Sequence, residues 1–224
     1  MAIPARPLRA DAERNRQAII CAAGSVLAEK GCETTLEQIA EAAGVGVGTV
    51  YRRFPSLEDL MAVVLEEKMR RYAERTEQAA EQALTAPGEA FDDYVMFMLE
   101  QQATDAAFSD VLLSPGEGTE LFVAEKARAF RASLVLVARA KDAGAVRADF
   151  HPTDLHLLQH AARGLLRGTQ RSAPLAWKRF GEYMLQAFRH AGDAPLTPPS
   201  RIWARVAAAA ADVVSERSGE PPTG

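Results

Sequence analysis

Hydrophobic residues recur at three- and four-residue spacing along most of the chain, and β-branched runs with strict alternation are missing. This period predicts amphipathic helices rather than strands. Gly31, Gly44 and Gly144 follow predicted helix ends, and Pro55 stops the third helix. The pattern predicts an all-α protein with helices over residues 11–30, 36–43, 47–54, 56–84, 91–102, 121–143, 154–168, 174–191 and 201–217.

A first helix and two short ones, followed by a series of mostly longer helices, indicate two folded parts. The predicted domains are a helix-turn-helix domain over 1–55, a larger helical ligand-binding and dimerisation bundle over 56–192, and a third segment over 193–224. The third segment comprises the linker GDAPLTPPS, a possible extra helix and a tail. No run of eighteen apolar residues, no secretory signal and only two cysteines are present. These features predict no membrane span, no disulfide framework and a cytoplasmic location.

A glycine-rich stretch, AGVGVGTVYRRF, spans Ala43 to Phe54 and has glycine at positions 44, 46 and 48. A dinucleotide-binding loop requires Gly-x-Gly-x-x-Gly after a strand, and the spacing here differs. A P-loop requires Gly-Lys-Ser/Thr, and no lysine is near. Because the preceding element is also a predicted helix, neither type of nucleotide-binding loop fits.

The same stretch fits a helix-turn-helix motif. Two short helices that meet at a large angle need a small residue where they cross and a turn residue that tolerates positive φ. Ala40 and Gly44 meet these needs, and the apolar contacts between the two helices are predicted for Ile39, Ala43, Val45 and Val50. The second helix, Val47 to Arg53, is then the one that enters a DNA major groove.

DNA contact is predicted on the outer side of this second helix. Glycine costs about 1 kcal/mol in a helix, and two of them near a helix start are explained if the bare backbone approaches DNA closely. Hydroxyl groups can bind phosphates, and arginines can bind phosphates or guanine. Phe54 is interpreted as core. The predicted DNA-binding residues are Thr35, Gly46, Val47, Gly48, Thr49, Tyr51, Arg52 and Arg53.

The net charge of −4 is unevenly distributed. Residues 1–54 hold seven Lys and Arg against six Asp and Glu, whereas the remainder holds 19 against 24. This asymmetry is typical of a protein that contacts a polyanion with one end only.

The segment TTLEQIAEAAGVGVGTVYRRFPSLEDLMAVV, Thr34 to Val64, resembles the DNA-binding segment of TetR-family transcriptional regulators. It follows the pattern Thr-x-x-x-Ile-Ala-x-x-Ala-Gly-Val-Ser/Gly-x-Gly-Thr-x-Tyr-x-x-Phe, and the resemblance extends over about residues 11–65. It implies a homodimer that binds a palindromic double-stranded DNA operator. It also implies a repressor that is released when a small, largely apolar effector binds the C-terminal part.

Two positions depart from the family pattern. Leu57 stands where the family often has a lysine that reaches a phosphate, and Gly46 replaces a frequent serine. One phosphate contact would then depend on the amide groups at the start of the helix after Ser56. Arg53, in place of the commoner histidine, can compensate in part.

Aromatic and sulfur-containing residues are concentrated in the middle of the C-terminal part. A pocket of roughly 300–1,000 Å³ lined in this way would suit an apolar or aromatic effector. Each residue taken alone also fits an ordinary core, and the group as a whole is the predicted pocket. Its members are Phe91, Tyr94, Phe97, Met98, Phe108 and Phe122.

The last two long helices carry apolar residues on more than one side, which indicates a partner surface. His156 and His160 have a zinc-compatible spacing but no third ligand nearby, so they are interpreted as polar interface residues and no metal is predicted. Cys21 is predicted to be core, and Cys32 to lie nearer the surface without an activating group. The predicted dimer interface is Leu157, Leu158, Leu165, Trp177, Met184 and Phe188.

No catalytic constellation emerges, so neither an enzyme activity nor a cofactor is predicted. Two alternatives to effector-released repression stay open. One is a regulator without a small-molecule effector that acts through a protein partner. The other is an enzyme that modifies small molecules with histidines and acids of the C-terminal half. Residues 201–217 fit both packing across a dimer and a solvated tail.

Overall fold

A computed structural model describes residues 6–30, 34–114, 118–169, 171–189 and 196–198 of the 224-residue chain. Within these ranges no helix is long and apolar enough to cross a membrane. The predicted all-α class is confirmed, because the described ranges form helices and no strand. The helices are α1 (Arg6–Lys30), α2 (Leu36–Ala43), α3 (Val47–Arg53), α4 (Leu57–Gln82), α5 (Pro87–Thr104), α6 (Ala106–Leu113), α7 (Glu120–Asp142), α8 (Asp154–Thr169) and α9 (Ala176–Arg189).

Three helices differ most from the sequence-based prediction. Helix α1 begins at Arg6, five residues before the predicted start at residue 11. Helix α5 begins at Pro87, four residues earlier than predicted, because a proline that lacks an N–H suits the first turn of a helix. Helix α6 is missing from the prediction. Its N-cap is Asp105, whose carboxylate accepts a hydrogen bond of 3.0 Å from the Phe108 amide. The predicted helix over 201–217 and Cys32 lie outside the described residues.

The chain divides into two compact units, Met1–Lys68 and Met69–Gly224, and the division falls within α4. The predicted domain limit after residue 55 was based instead on the proline that precedes this helix. The domain ranges 1–55, 56–192 and 193–224 stay predictions.

The first unit packs α1 against α2 and α2 against α3 around one apolar core. Ile19, Ile39, Val50 and Leu60 are each 0% exposed there, and Phe54 is buried as expected. These four residues come from α1, α2, α3 and the start of α4 respectively. The core therefore fixes the position of α3, which has only seven residues and could not form a stable helix alone.

Cys21 was predicted to be core, and this prediction is wrong because the thiol is exposed. Successive residues of a helix are separated by about 100°. The buried face of α1 is formed by Ile19, Ile20, Ala23 and Leu27, and Cys21 therefore faces away from it.

In the second unit α5 packs against α6, α7, α8 and α9. Gly181 lies at its close contact with α9, where a larger residue would make two side chains of α5 move. A Cβ at that position would lie 2.7 Å from Leu99 Cδ1 and 2.7 Å from Met96 Sδ, which is closer than carbon atoms pack. Helix α5 is therefore the central helix of this unit, and its buried residues set the surroundings of any internal site.

Candidate nucleic-acid interface and effector region

Helix α2 begins with a capping box that holds Thr35. The Thr35 hydroxyl accepts a hydrogen bond of 3.4 Å from the Gln38 amide, and the Gln38 side chain accepts one of 3.3 Å from the Thr35 amide. Thr35 is exposed, but its hydroxyl already serves the fold. A phosphate contact predicted for this residue would share the hydroxyl with the cap.

The turn between α2 and α3 depends on Gly44. Its φ of 66° and ψ of 30° are left-handed values that favour glycine. In this conformation the Gly44 amide donates to the Glu41 carbonyl at 3.1 Å, and the Val45 amide donates to the Ala40 carbonyl at 3.0 Å. The chain can therefore leave α2 and start α3 only three residues later, as a helix-turn-helix requires.

The outer face of α3 is exposed, and two glycines at its start leave the backbone there uncovered by side chains. A Cβ placed on Gly46 or Gly48 would meet no atom within 4 Å, so neither glycine is needed for packing. Val47 is 42% exposed and Tyr51 is 47% exposed, whereas Val50 on the opposite face is fully buried. An apolar side chain and a tyrosine ring are thus presented to solvent beside two positions without side chains.

Three side chains of α3 make hydrogen bonds within the unit. The Tyr51 hydroxyl donates to Glu37 Oε1 at 2.8 Å, and Arg52 Nη2 donates to the Thr49 hydroxyl at 3.3 Å. Arg53 Nη2 donates to the Ala12 carbonyl of α1 at 3.1 Å. All three groups are exposed, so they are oriented by these contacts and remain accessible.

The contact between Tyr51 and Glu37 changes the acidity of both groups. The pKa of Glu37 is lowered by its own backbone N–H and then by the Tyr51 hydroxyl, both of which stabilise the carboxylate. The pKa of Tyr51 is raised because ionisation would remove the donated hydrogen bond and place two negative charges together. At neutral pH the pair is therefore a neutral tyrosine that donates to a carboxylate.

A groove of about 450 Å³ lies between α1 and α3. Thr49, Arg52 and Arg53 line it from α3, and Asn15 and Arg16 line it from α1. The sequence analysis missed the two α1 residues as site candidates, because α1 showed a buried stripe and no motif. Arg16 was visible only as one of the basic residues concentrated near the N-terminus.

The start of α4 is capped by its own side chains. The Ser56 hydroxyl accepts a hydrogen bond of 3.1 Å from the Asp59 amide and donates one of 2.8 Å to Asp59 Oδ2. Leu57 is half-buried and packs against the core of the first unit. The backbone amides at the start of α4 were expected to contact a phosphate in place of the lysine that the family often has at position 57. One of these amides, that of Asp59, is already bonded to the Ser56 hydroxyl, and Leu57 itself packs against the core.

Five of the six predicted pocket residues fall into two aromatic clusters in the second unit, and the sixth, Met98, is buried on α5. Phe91 contacts Phe150 and Phe188 with ring centroids 5.5 and 6.4 Å apart, and the latter two rings lie 4.9 Å apart. The other cluster joins Tyr72 to Phe97, at 5.5 Å, and to Phe108, at 6.1 Å. This second cluster also includes Tyr94, which contacts Phe97, and Phe122, which contacts Phe108.

Residues of the predicted interface differ in exposure. Leu157 is 55% exposed, Leu165 and Met184 are half-buried, and Leu158, Trp177 and Phe188 are buried within the unit. Tyr183, which was not predicted, is 56% exposed on α9. The exposed apolar surface of α8 and α9 is therefore real but is formed in part by other residues than those predicted.

The two histidines of α8 differ as well. Burial lowers the pKa of His156 to about 4, and the nearby charges of Lys126 and His160 act in the same direction. His160 is exposed. In the ranges that the structure covers, no group of three His, Cys, Asp or Glu side chains could hold a metal ion.

Two short helices joined by a left-handed glycine, with the second one exposed, define a helix-turn-helix DNA-binding protein. The family model described as bacterial regulatory proteins of the tetR family matches residues 19–64. The model described as the C-terminal domain of SbtR-like transcriptional regulators matches residues 86–176. The TetR transcription regulatory protein from Mycobacterium vanbaalenii is 31% identical with a TM-score of 0.60, over 82% of this chain and all of that one. The chain therefore belongs to the TetR family of bacterial transcriptional regulators, and its function is DNA binding in the control of transcription.

Two further similarities are weaker than the one to the Mycobacterium vanbaalenii protein, the first because it covers a smaller part of both chains and the second because the identity is lower. The fatty acid metabolism regulator protein of Bacillus subtilis is 39% identical over 69 residues, which are 30% of this chain and 36% of that regulator. The structure of FadR from Bacillus subtilis in complex with stearoyl-CoA has 20% identity and a TM-score of 0.54, covering 76% of this chain and 97% of that one. The second similarity shows a common fold.

Proposed function

We propose that the chain is a repressor that binds a palindromic operator as a homodimer and is released by a small effector. The observation that carries the DNA-binding part is the bare outer face of α3, where Gly46 and Gly48 have open space in front of them. Helix α3 enters the major groove, and the absence of two Cβ atoms allows its backbone to lie close to the base edges.

The side chains around this face take different roles. Arg52 is exposed at the last turn of α3 and contacts phosphate or guanine, while Thr49 and Tyr51 offer hydroxyl groups to phosphates. The Tyr51 hydroxyl can give up its hydrogen bond to Glu37 and donate to a phosphate oxygen. Alternatively, it keeps that hydrogen bond, and the tyrosine ring contacts DNA. Asn15 and Arg16, across the groove from Arg52, add a second point of contact from α1.

Dimerisation is supported by apolar side chains that remain exposed on the second unit. Leu157, Leu175 and Tyr183 are each more than half exposed on or beside α8 and α9. Helices α8 and α9 pack against each other, so these exposed side chains belong to neighbouring elements, as the surface for a protein partner requires. A second copy that places α8 and α9 against their own counterparts buries them and gives the twofold symmetry that a palindromic operator requires.

Effector control is supported by the cluster of Tyr72, Tyr94, Phe97, Phe108 and Phe122, which brings together four of the six predicted pocket residues. The FadR structure solved with stearoyl-CoA indicates that this fold can hold a small molecule with a long apolar part. Helix α4 contributes Tyr72 and begins immediately after the DNA-binding motif. A ligand that displaces α4 therefore changes the spacing of the two α3 helices in the dimer, which must match half-sites roughly 34 Å apart.

The experiment that tests DNA binding uses the DNA upstream of the protein's own gene in a gel-shift titration at several salt concentrations. Replacing one phosphate-binding arginine should reduce the slope of log K against log salt by about 1. We expect this for Arg52→Ala. The matched control is Arg171→Ala, which removes an exposed arginine from the second unit and should change neither affinity nor slope.

The result also separates the alternatives. Binding that is equally tight with Arg52→Ala contradicts the assignment of α3 as the recognition helix. Selective DNA binding that no compound in a thermal-shift screen affects favours the regulator that acts through a protein partner, because a ligand of the folded state must raise the unfolding midpoint.

A further inference from the structure

Gln102 is buried in the last turn of α5 without hydrogen-bond partners. Its side chain is 1% exposed, and neither Oε1 nor Nε2 has a partner among the residues that the structure describes. An amide removed from water in this way destabilises the folded chain, and native proteins rarely retain one without a use for it.

Several other buried polar side chains of the same unit are paired. The Gln159 amide donates to the Tyr72 hydroxyl at 3.1 Å, and the Thr76 hydroxyl donates to the Tyr72 carbonyl at 2.8 Å. The Ser109 hydroxyl donates to the Asp105 carbonyl at 2.8 Å. The fold therefore satisfies its internal polar groups as a rule, and Gln102 departs from that rule.

The position of Gln102 relates it to the aromatic cluster. Tyr94, Met98 and Gln102 are separated by four residues each, so they lie on one face of α5, and all three are buried. Tyr94 belongs to the aromatic cluster through its contact with Phe97 at 6.2 Å. An apolar and aromatic surface with one unpaired amide at its end is the arrangement that binds a small molecule with a single polar group.

Arg75 supplies a second donor near the same cluster. Its guanidinium lies 5.5 Å from the centre of the Phe97 ring, and its Nη1 atom is also buried without a hydrogen-bond partner in the described part of the chain. The Arg75 guanidinium and the amide nitrogen of Gln102 are both hydrogen-bond donor groups. Oxygen acceptors are the groups that complement them.

We propose that Gln102 binds the polar group of the effector, and that this effector is an apolar or aromatic molecule with a carbonyl or carboxylate oxygen. The inference rests on the proposed function, since it places the recognition contact inside the effector site of the second unit. It adds that the site distinguishes such molecules from hydrocarbons of the same shape.

The first arm of the test needs no ligand. Gln102→Met keeps the length of the side chain and removes both polar atoms, and Gln159→Met makes the same change at a glutamine that is paired. We expect Gln102→Met to raise the thermal unfolding midpoint of the full-length protein and Gln159→Met to lower it. A fall in the midpoint for both variants means that the Gln102 amide is satisfied in the folded protein, and it overturns the proposal.

The second arm uses benzamide, benzoate and toluene as probes at millimolar concentration. Benzamide or benzoate should raise the midpoint of the unchanged protein by more than that of Gln102→Met, whereas toluene should act equally on both. Equal shifts by all three probes overturn the proposal. A compound that releases operator DNA equally from both proteins leaves effector control intact and overturns only the role of Gln102, whereas DNA binding that no compound affects contradicts the proposed effector control itself.

Discussion

The substitution Gly48→Ala tests DNA recognition separately from folding, because it adds only one methyl group. Gly48 is the second residue of α3, its φ is not left-handed, and an added Cβ would meet nothing within 4 Å. The methyl group therefore causes no clash in the free protein. It does occupy the space through which, in our proposal, the α3 backbone approaches DNA.

The two expected effects have opposite signs. Alanine is more favourable than glycine in a helix by about 0.5–1 kcal/mol, so the free protein should become more stable. Inserting a methyl group into a closely packed contact costs about 1–3 kcal/mol. At about 1.4 kcal/mol for each factor of ten, operator affinity should fall by about five- to hundredfold.

The assay pairs urea unfolding with fluorescence anisotropy on a labelled operator fragment. Gly24→Ala is the matched control within the same unit. A Cβ at Gly24, on α1, would lie at ordinary contact distances of 3.7 Å from Lys68 Cε and 3.9 Å from Val64 Cγ1. This control should gain similar stability and bind DNA unchanged.

An unchanged operator affinity of Gly48→Ala, with the unfolding midpoint raised, would refute the close approach of the bare backbone. A lowered midpoint would instead refute the open space in front of Gly48. We expect higher stability from the open space in front of Gly48, and weaker binding from the proposed close approach of α3 to DNA.

Three further predictions follow from individual contacts. Thr35→Ala removes the N-cap hydroxyl of α2 and should cost about 1 kcal/mol in urea unfolding, whereas Thr35→Ser should retain most of that stability. Tyr51→Phe removes the hydroxyl that lowers the pKa of Glu37, so an NMR titration should show that pKa moving up toward the ordinary glutamate value. Linkage gives the direction of the pH effect on stability. The lowered pKa of Glu37 stabilises the folded protein at pH values above the pKa of glutamate in the unfolded chain, and this stabilisation is lost as the pH falls through the pKa in the folded protein. Because burial lowers the pKa of His156 to about 4, the unfolded chain takes up a proton before the folded one does, and stability should fall as pH decreases from about 6.5 to 4. His156→Gln should flatten that pH dependence, and an unchanged profile would show that other groups cause it.

Local sequence signals were sufficient for the helix-turn-helix motif. The bounds of α2 agree with the prediction because Thr35 and Gly44 are cap residues whose backbone conformations are set within a few residues. The helical period likewise predicted the core positions Ile19, Ile39 and Val50, since one face of a short amphipathic helix must be buried. The exposed side of α3 follows from the same period.

Other features depend on residues that are distant in sequence. The contact of Tyr51 with Glu37 spans fourteen positions, and the groove joins α1 to α3 across more than thirty, so no local pattern could indicate either. Helix α6 was missed because most of its residues, AAFSDVLL, are apolar, so that no alternation between a polar and an apolar face marks the helix.

The amino-acid sequence by itself determined that the chain is helical, where the DNA-binding motif lies and which face of α3 is exposed, because these depend on caps, turns and a 3.6-residue period. Only the tertiary structure decided how the aromatic residues of the second unit are distributed between two clusters. Phe91 contacts Phe150 and Phe188 in one cluster, whereas Phe97 contacts Tyr72 in the other. It also decided that Gln159 is paired, whereas Gln102 has no partner among the described residues. Whether a buried amide finds a partner depends on which helices pack together, and that choice is made by the whole core rather than by any single segment.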